Sequence, residues 1–248
     1  MKIMIITVAG VASRFSQSIG HPCLKCLYYQ KDIKDSLLYH IISQNSGIDR
    51  YVIVGGFRFD ELKKAIDQFL GEFHNRIILV KNDKYEEYGS GYSLYLGLEA
   101  IRQLDYKELV FAEGDLWVDE ESFKHIWKTQ GNVITCNNET ILASKSVAFY
   151  YDNQYRIHYI FDTNHAMLEI KEPFLGIFNS GQVWKFSQRE RVLEAMLQLT
   201  PEEWRQTNLN FIQQYFGGLN QDEYVILSLD KWINCNTIED FKKIEGLR

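Results

Sequence analysis

The sequence predicts a three-layer α/β fold on a mostly parallel sheet, and three features carry that expectation. Strand-like and helix-like segments alternate four times across residues 1–130, as crossover units require. The strand-like segments are continuous apolar runs, the mark of strands covered on both faces. Beyond residue 130, runs rich in Tyr, Phe and Ile alternate with period two, so a β-rich insert of antiparallel strands is expected to pack against the parallel half.

Taken in order, "KIMIITVAG" (2–10) is the first buried strand, ending in small residues. "SLLYHIISQNSGI" (36–48) has apolar residues at helical spacing, with Gly47 placed to stop it. "RYVIVGG" and "RIILVKN" are further strands separated by the amphipathic helix "DELKKAIDQFLGEF", and "SGYSLYLGLEAIRQL" is a helix before the fourth strand, "ELVFAEGD". "SFKHIWKTQG" reads as another helix. "SVAFYYDNQYRIHYIF" and "HAMLEIKEPFLGIFN" read as antiparallel strands, and "SQRERVLEAMLQL" and "PEEWRQTNLNFIQQYF" as helices, with Pro201 suited to a helix start. "YVILSL" is a strand, and "TIEDFKKIEGL" is a closing helix capped by Thr237. The loops "AGVASR", "KNDKYEEYGSG" and "EGDLW" all follow strands and should share one rim, where sites of open α/β sheets lie.

The 248 residues suffice for one α/β domain, with 1–130 as a nucleotide-type α/β half, 131–230 as a β-rich insert and 231–248 as a closing loop and helix. A formal net charge of −6 without a Lys/Arg stripe argues against nucleic acid as a partner. No apolar run approaches the ~18 residues of a membrane span, and "MKIMIITVAG" is too short for a signal peptide, so a cytoplasmic protein without membrane association is expected. Cys23 and Cys26 form a C-x-x-C, but Cys136 and Cys235 are isolated, so neither a disulfide framework nor a zinc site is expected. The six histidines, His21, His40, His74, His125, His158 and His165, show no metal-ligand spacing.

Several residues carry candidate chemistry. Small residues after the first strand (Val8, Ala9, Gly10, Ala12, Ser13) would let backbone N–H groups approach a phosphate chain, and Arg14 would fork its oxygens. The spacing fits neither G-x-G-x-x-G nor a P-loop. Lys25 is placed to neutralise a phosphoryl group, though on local evidence alone a surface lysine is the favoured reading. Asp115, at a strand's carboxyl end, is a hard oxygen donor suited to Mg²⁺, and Glu113 shares its face by alternation.

Together these pieces resemble the nucleotidyltransferases that activate sugar 1-phosphates and phosphocholine. Those enzymes read A-G-x-G-[ST]-R and then P-K-x-L; here Ala12 replaces the second glycine and Leu24 stands where the proline would precede Lys25. "NDKYEEYGSGYSLYLGLEAI" is similar to the choline-phosphate cytidylyltransferase segment and to the sugar enzymes' Gly-Thr-Gly turn, which implies nucleotide contacts from Asn82, Gly89 and Ser90. A helix N-cap at Ser90 is the structural alternative. "WINCNTIEDF" resembles the closing [DN]-T-x-E-D motif and implies Asn236 as a second Mg²⁺ ligand beside Asp115, with capping as the alternative role. "FLGIFNSGQVWKF" resembles the sugar enzymes' acceptor segment and implies Asn179 and Gly181 near the acceptor; Trp117 and Trp184 are expected there as part of the aromatic set.

The resemblance implies a Rossmann-like fold of the nucleotide-diphospho-sugar transferase type and Mg²⁺-dependent transfer of a nucleoside monophosphate. CMP from CTP is expected to go to a phosphorylated small molecule such as phosphocholine, with Arg14, Lys25 and Asp115 catalytic. Aromatics at Trp117, Tyr150, Tyr151, Tyr155, Tyr159, Phe178, Trp184 and Trp232 are numerous enough to cage a quaternary ammonium. A sugar 1-phosphate is the alternative acceptor. A glycosyltransferase using "EGD" as its acidic pair and a catalytically silent nucleotide-binding regulator are the readings outside the class. A homodimer is left open.

Overall fold

The computed structural model describes residues 1–144, 146–161 and 169–247, so His165 and the first four residues (165–168) of one expected strand lie outside the described residues. Its elements run β1 (Lys2–Val8), α1 (Ser13–Ile19), α2 (Leu37–Gln44), β2 (Arg50–Gly55), α3 (Phe59–Phe69), β3 (Ile77–Lys81), α4 (Ser90–Ile101) and β4 (Glu108–Glu113). Then come β5 (Leu116–Val118), α5 (Glu120–Lys128), β6 (Asn132–Asn137), β7 (Ala148–Asp152), β8 (Ile157–Tyr159) and β9 (Phe174–Phe186). The chain closes with α6 (Arg189–Gln198), α7 (Pro201–Trp204), α8 (Leu209–Phe216), β10 (Tyr224–Ser228), β11 (Trp232–Asn234) and α9 (Ile238–Glu245).

The central sheet has the order β10-β6-β9-β4-β1-β2-β3, with β7 and β8 continuing from β9. β1 pairs in parallel with β2 and β4, β2 with β3, and β6 with β10; β9 runs antiparallel between β4 and β6. This is the mostly parallel α/β architecture the alternation predicted. Alternate residues of β1 supply the two faces. Ile3 and Ile5 join Leu94, Leu98 and Ile101 of α4 and Ile212 of α8, whereas Met4, Ile6 and Val8 join Leu38 and Ile41 of α2, Leu62 of α3 and Phe123 of α5. Ile3 to Ile6 are all 0% exposed, which is why the strand reads as an unbroken apolar run.

Three local expectations are corrected and one strand is added. The strands after residue 130 do not pack against the parallel half; β6, β9 and β10 extend its sheet, because β9 donates one edge to β4 and the other to β6. The β6 strand "NVITCN" escaped the pattern because polar Asn132, Thr135 and Asn137 are buried and hydrogen-bonded. The first of the long helices ends at Gln44, with Asn45 rather than Gly47 as its C-cap. "PEEWRQTNLNFIQQYF" is two helices, α7 and α8, broken over residues 205–208. Thr200 and Pro201 start α7 with a capping box, and Thr237 with Asp240 does the same for α9.

Candidate functional site

The carboxyl ends of β1, β2 and β4 are drawn together by close backbone contacts. Gly114 donates its N–H to Thr7 O at 3.0 Å, and a Cβ on Gly114 would lie 2.2 Å from Val8 Cγ1. Phe57 donates its N–H to Ala9 O at 3.0 Å, and a Cβ on Gly56 would lie 2.6 Å from Tyr85 Cβ. The turn after β1 is left open in the middle: nothing lies within 4 Å of where Gly10 would carry a Cβ. Ala12 holds φ 51°, the left-handed region in which glycine is relaxed and alanine is strained. That backbone explains the glycine of the A-G-x-G pattern, and alanine fills the position at an energetic cost.

Residues far apart in sequence then converge on this turn. β5 pairs antiparallel with β11, and Cys235 donates its N–H to Asp115 O at 2.9 Å, so positions 115 and 236 are neighbours. Lys25 Nζ forms an ion pair with Asp115 Oδ2 at 2.9 Å, and Arg14 Nη2 donates to Asn236 Oδ1 at 2.9 Å. The α9 cap fixes Asn236 from behind, because Asp240 Oδ2 accepts from the N–H groups of both Asn236 and Thr237. Capping and the cavity role are thus divided: Thr237 caps, and Asn236 faces Arg14. Asp115 Oδ1 is buried and has no hydrogen-bond partner among the described residues. No cluster of three His, Cys, Asp or Glu side chains suited to a metal is found among the described residues.

Glu113 lines the same site two residues before Asp115. Burial, reinforced by the Asp115 charge, pushes its carboxyl up to about 7, while a hydrogen bond from Asn208 works against the shift. Asn208 Nδ2 donates to Glu113 Oε1 at 2.7 Å from the break between α7 and α8. The same break takes up the Gly-Ser-Gly turn. Gly89 and Gly91 donate their N–H groups to Arg205 O and Gln206 O at 2.6 and 3.0 Å, and Ser90 Oγ accepts from the Asn208 N–H at 3.1 Å. A Cβ on Gly89 would lie 2.0 Å from Gln206 O, so glycine is needed here for close approach of two backbones. The α4 N-cap is Gly89, not Ser90, which is the first residue of the helix.

These elements enclose a cavity of about 750 Å³. Among the residues singled out from sequence, Val8, Ala9, Gly10, Ala12, Arg14, Lys25, Gly89, Ser90, Asp115 and Asn236 line it, as does Glu113. Ser13 opens α1 and is not part of the wall. Asn82 is 1% exposed, away from the wall; it donates to Ser93 Oγ and accepts from the Lys84 N–H, which shapes the Tyr85 loop. Gln182, Asn234, Tyr85, Tyr88 and Ser93 also line the cavity and were not anticipated.

The acceptor-side expectations fare differently. Trp184 is 0% exposed, stacks on Phe111 and donates to Tyr159 Oη, so it belongs to the core. Trp117 is buried and stacked on His40. Asn179 is buried, with Nδ2 donating to Glu139 O, and Gly181 packs against Thr135 and Leu229. Tyr150, Tyr151, Tyr155, Tyr159 and Phe178 pack among the strands β7–β9, and Trp232 Nε1 donates to Gly181 O. None of the expected aromatic cage faces the cavity; strand packing claims these rings instead. Among the described residues, its aromatic lining is Tyr85 and Tyr88.

The sequence matches, over residues 21–248, a family defined as a domain of unknown function, DUF6564. The chain belongs to that family. No curated protein matches it in sequence. The DUF6564 chain is similar in structure to the inositol-1-phosphate CTP transferase from T. maritima, at TM-score 0.69 and 15% identity, over 100% of this chain and 96% of that one. It is also similar to a CTP:phosphocholine cytidylyltransferase from Streptococcus pneumoniae, at TM-score 0.64 and 17% identity over 99% and 98% of the two chains. A putative glucose-1-phosphate thymidylyltransferase from Bacillus anthracis gives TM-score 0.70 and 14% identity over 100% and 95%. The DUF6564 chain therefore has the nucleotidyltransferase fold, as the motifs after β1 and β4 implied. No helix among the described residues is long and apolar enough to cross a membrane.

Proposed function

We propose that the chain transfers a nucleoside monophosphate from a nucleoside triphosphate, with CTP the expected donor, to a small phosphorylated acceptor and releases pyrophosphate. One observation carries the reading: Arg14, Lys25, Asp115 and Asn236 converge on a single cavity at the carboxyl ends of β1 and β4. An acceptor phosphate is already anionic near neutral pH, so no general base is needed. Its oxygen attacks the α-phosphorus, the bond from that phosphorus to the bridging oxygen breaks, and pyrophosphate leaves in line.

The protein's part is alignment and neutralisation of charge. Arg14, with five N–H donors, retains free donors for β- and γ-phosphate oxygens while Nη2 engages Asn236. Lys25 Nζ, held at the wall by Asp115, stabilises charge on the α-phosphoryl group. The open space over Gly10 admits the phosphate chain to the backbone. The unpartnered, buried Oδ1 of Asp115 and the carbonyl oxygen of Asn236 fit Mg²⁺, which takes few protein oxygens and completes its shell with phosphate and water. Such an ion would supply further neutralisation of the triphosphate. Loss of Lys25 is expected to cost on the order of 3 kcal/mol in barrier, or ~100-fold in rate.

Two acceptor classes divide the support. Phosphocholine is favoured by the "NDKY…YSLYL" resemblance and by one similar structure. A sugar or cyclitol phosphate is favoured by the cavity: its wall offers Ser144, Gln182 and Asn234, neutral hydrogen-bonding groups suited to hydroxyls. The lining gives the second class the stronger physical case. The purified protein, supplied with each common triphosphate, Mg²⁺ and a panel of phosphorylated sugars, cyclitols and amines, should release pyrophosphate with one combination. Hydrolysis of a nucleotide-sugar without pyrophosphate would make it a glycosyltransferase. CTP binding without turnover on any acceptor would make it a regulator.

A further inference from the structure

Gln182 holds φ 56° in the interior of β9 and is 3% exposed. A bulge is the cause. Ile134 pairs with Trp184 and Cys136 with Ser180, so Thr135 alone stands opposite Gly181, Gln182 and Val183. Thr135 Oγ1 locks the arrangement by donating to Val183 O at 2.7 Å and accepting from the Val183 N–H at 3.2 Å. The bulge turns Gln182 onto the cavity wall. Glycine would hold such a backbone without strain, so the backbone of the bulge by itself gives no reason for a glutamine.

What Gln182 offers is fixed by a chain of hydrogen bonds among residues that line the cavity. Arg14 can only donate, and its Nη2 donates to Asn236 Oδ1 at 2.9 Å. Asn236 Nδ2 then donates to Asn234 Oδ1 at 2.9 Å, and Asn234 Nδ2 to Gln182 Oε1 at 3.2 Å. The guanidinium at one end thereby sets every amide in the chain. Gln182 is left with its Nε2 hydrogens, for which no acceptor is found among the described residues. A cation on Asn236 Oδ1 would leave this polarity unchanged, because it also requires the carbonyl oxygen.

We infer that Gln182 is a specificity-determining residue that donates from Nε2 to an oxygen of the phosphorylated acceptor; this rests on the transfer reading above. The acceptor therefore presents oxygen, as phosphate or hydroxyl, to this part of the wall. A neutral hydrogen bond of this kind corresponds to roughly tenfold in affinity.

The test compares Gln182→Gly and Gln182→Glu with the parent in the pyrophosphate assay, varying triphosphate and acceptor separately. Gln182→Gly keeps the left-handed backbone and removes the carboxamide. It should raise the acceptor KM about tenfold, leave the triphosphate KM within about twofold, and change the melting temperature little, because relief of the left-handed strain offsets the lost hydrogen bond from Asn234. Gln182→Glu keeps the size but replaces the donors with a carboxylate, and should raise the acceptor KM further. The working acceptor and its dephosphorylated alcohol, the latter read as a competitive inhibitor, separate the two contacts: a loss shared by both assigns the contact to a hydroxyl, and a loss confined to the phosphorylated compound assigns it to phosphate oxygen. A Gln182→Gly enzyme with the parent's acceptor KM, or with both KM values raised alike, overturns the inference and leaves the transfer reading standing. A parent protein without turnover on any acceptor overturns both.

Discussion

Replacing Gly89 by alanine isolates one physical requirement of the site. The glycine has φ −74°, so alanine fits its backbone, and the entire effect comes from space. The added Cβ would lie 2.0 Å from Gln206 O and 3.2 Å from Arg205 O. Either α4 or the 205–208 break has to withdraw, which strains the bond from the Gly89 N–H to Arg205 O and the neighbouring one from Gly91 to Gln206 O. Overpacking of this kind costs about 1–3 kcal/mol, and loss of a backbone hydrogen bond adds about 1. A sum of about 2–4 kcal/mol lowers the melting temperature by roughly 5–15 °C in a domain of this size. Gly10→Ala is the matched control, since nothing lies within 4 Å of its Cβ. It should melt at or slightly above the parent temperature while weakening triphosphate binding. Differential scanning calorimetry reads both variants. A Gly89→Ala protein melting with the parent would refute the reasoning, because the close approach of α4 to residues 205–208 would then not depend on glycine.

Ala12→Gly relieves the left-handed strain at φ 51° against a larger loss of unfolded-state entropy, and should stabilise by about 0.5–1 kcal/mol in urea unfolding. Lys185 in β9 has a fully buried side chain that forms an ion pair with Glu108 and donates to Thr129 O at 2.7 Å and Trp127 O at 3.2 Å. Lys185→Met should cost about 2–3 kcal/mol, toward the lower end for a broken buried pair, because Glu108 keeps some exposure and a second partner in Lys2 at 3.3 Å. An unchanged urea midpoint would contradict this.

The parallel half was legible because strands covered on both faces leave unbroken apolar runs, as Ile3 to Ile6 do. Arg14, Asp115 and Asn236 were legible as motifs, and the folded chain brings them to one cavity through contacts no local pattern reveals: the β5–β11 pairing and the cap of α9. The acceptor side was read poorly for two reasons. Tyr, Trp and Phe at period two fit a cage and a strand interior equally well, and Trp184 and Tyr159 went to the interior. Gln182 was invisible because its conformation is imposed by Thr135, 47 residues away in sequence and directly across the sheet. The helix break at 205–208 was missed for a related reason: its backbone carbonyls are satisfied by Gly89 and Gly91, on a different element.

The proposed function puts a magnesium-bound triphosphate beside the turn after β1 at Asp115, whose Oδ1 has no hydrogen-bond partner among the described residues. Calorimetric titration of CTP with and without Mg²⁺ into the parent and Asp115→Ala proteins, paired with pyrophosphate release on a working acceptor, tests this most directly. The expected result is Mg²⁺-dependent binding in the parent that disappears in the variant, with turnover reduced ~100-fold or more. An Asp115→Ala protein that keeps Mg²⁺-dependent binding and releases pyrophosphate at the parent rate would contradict it.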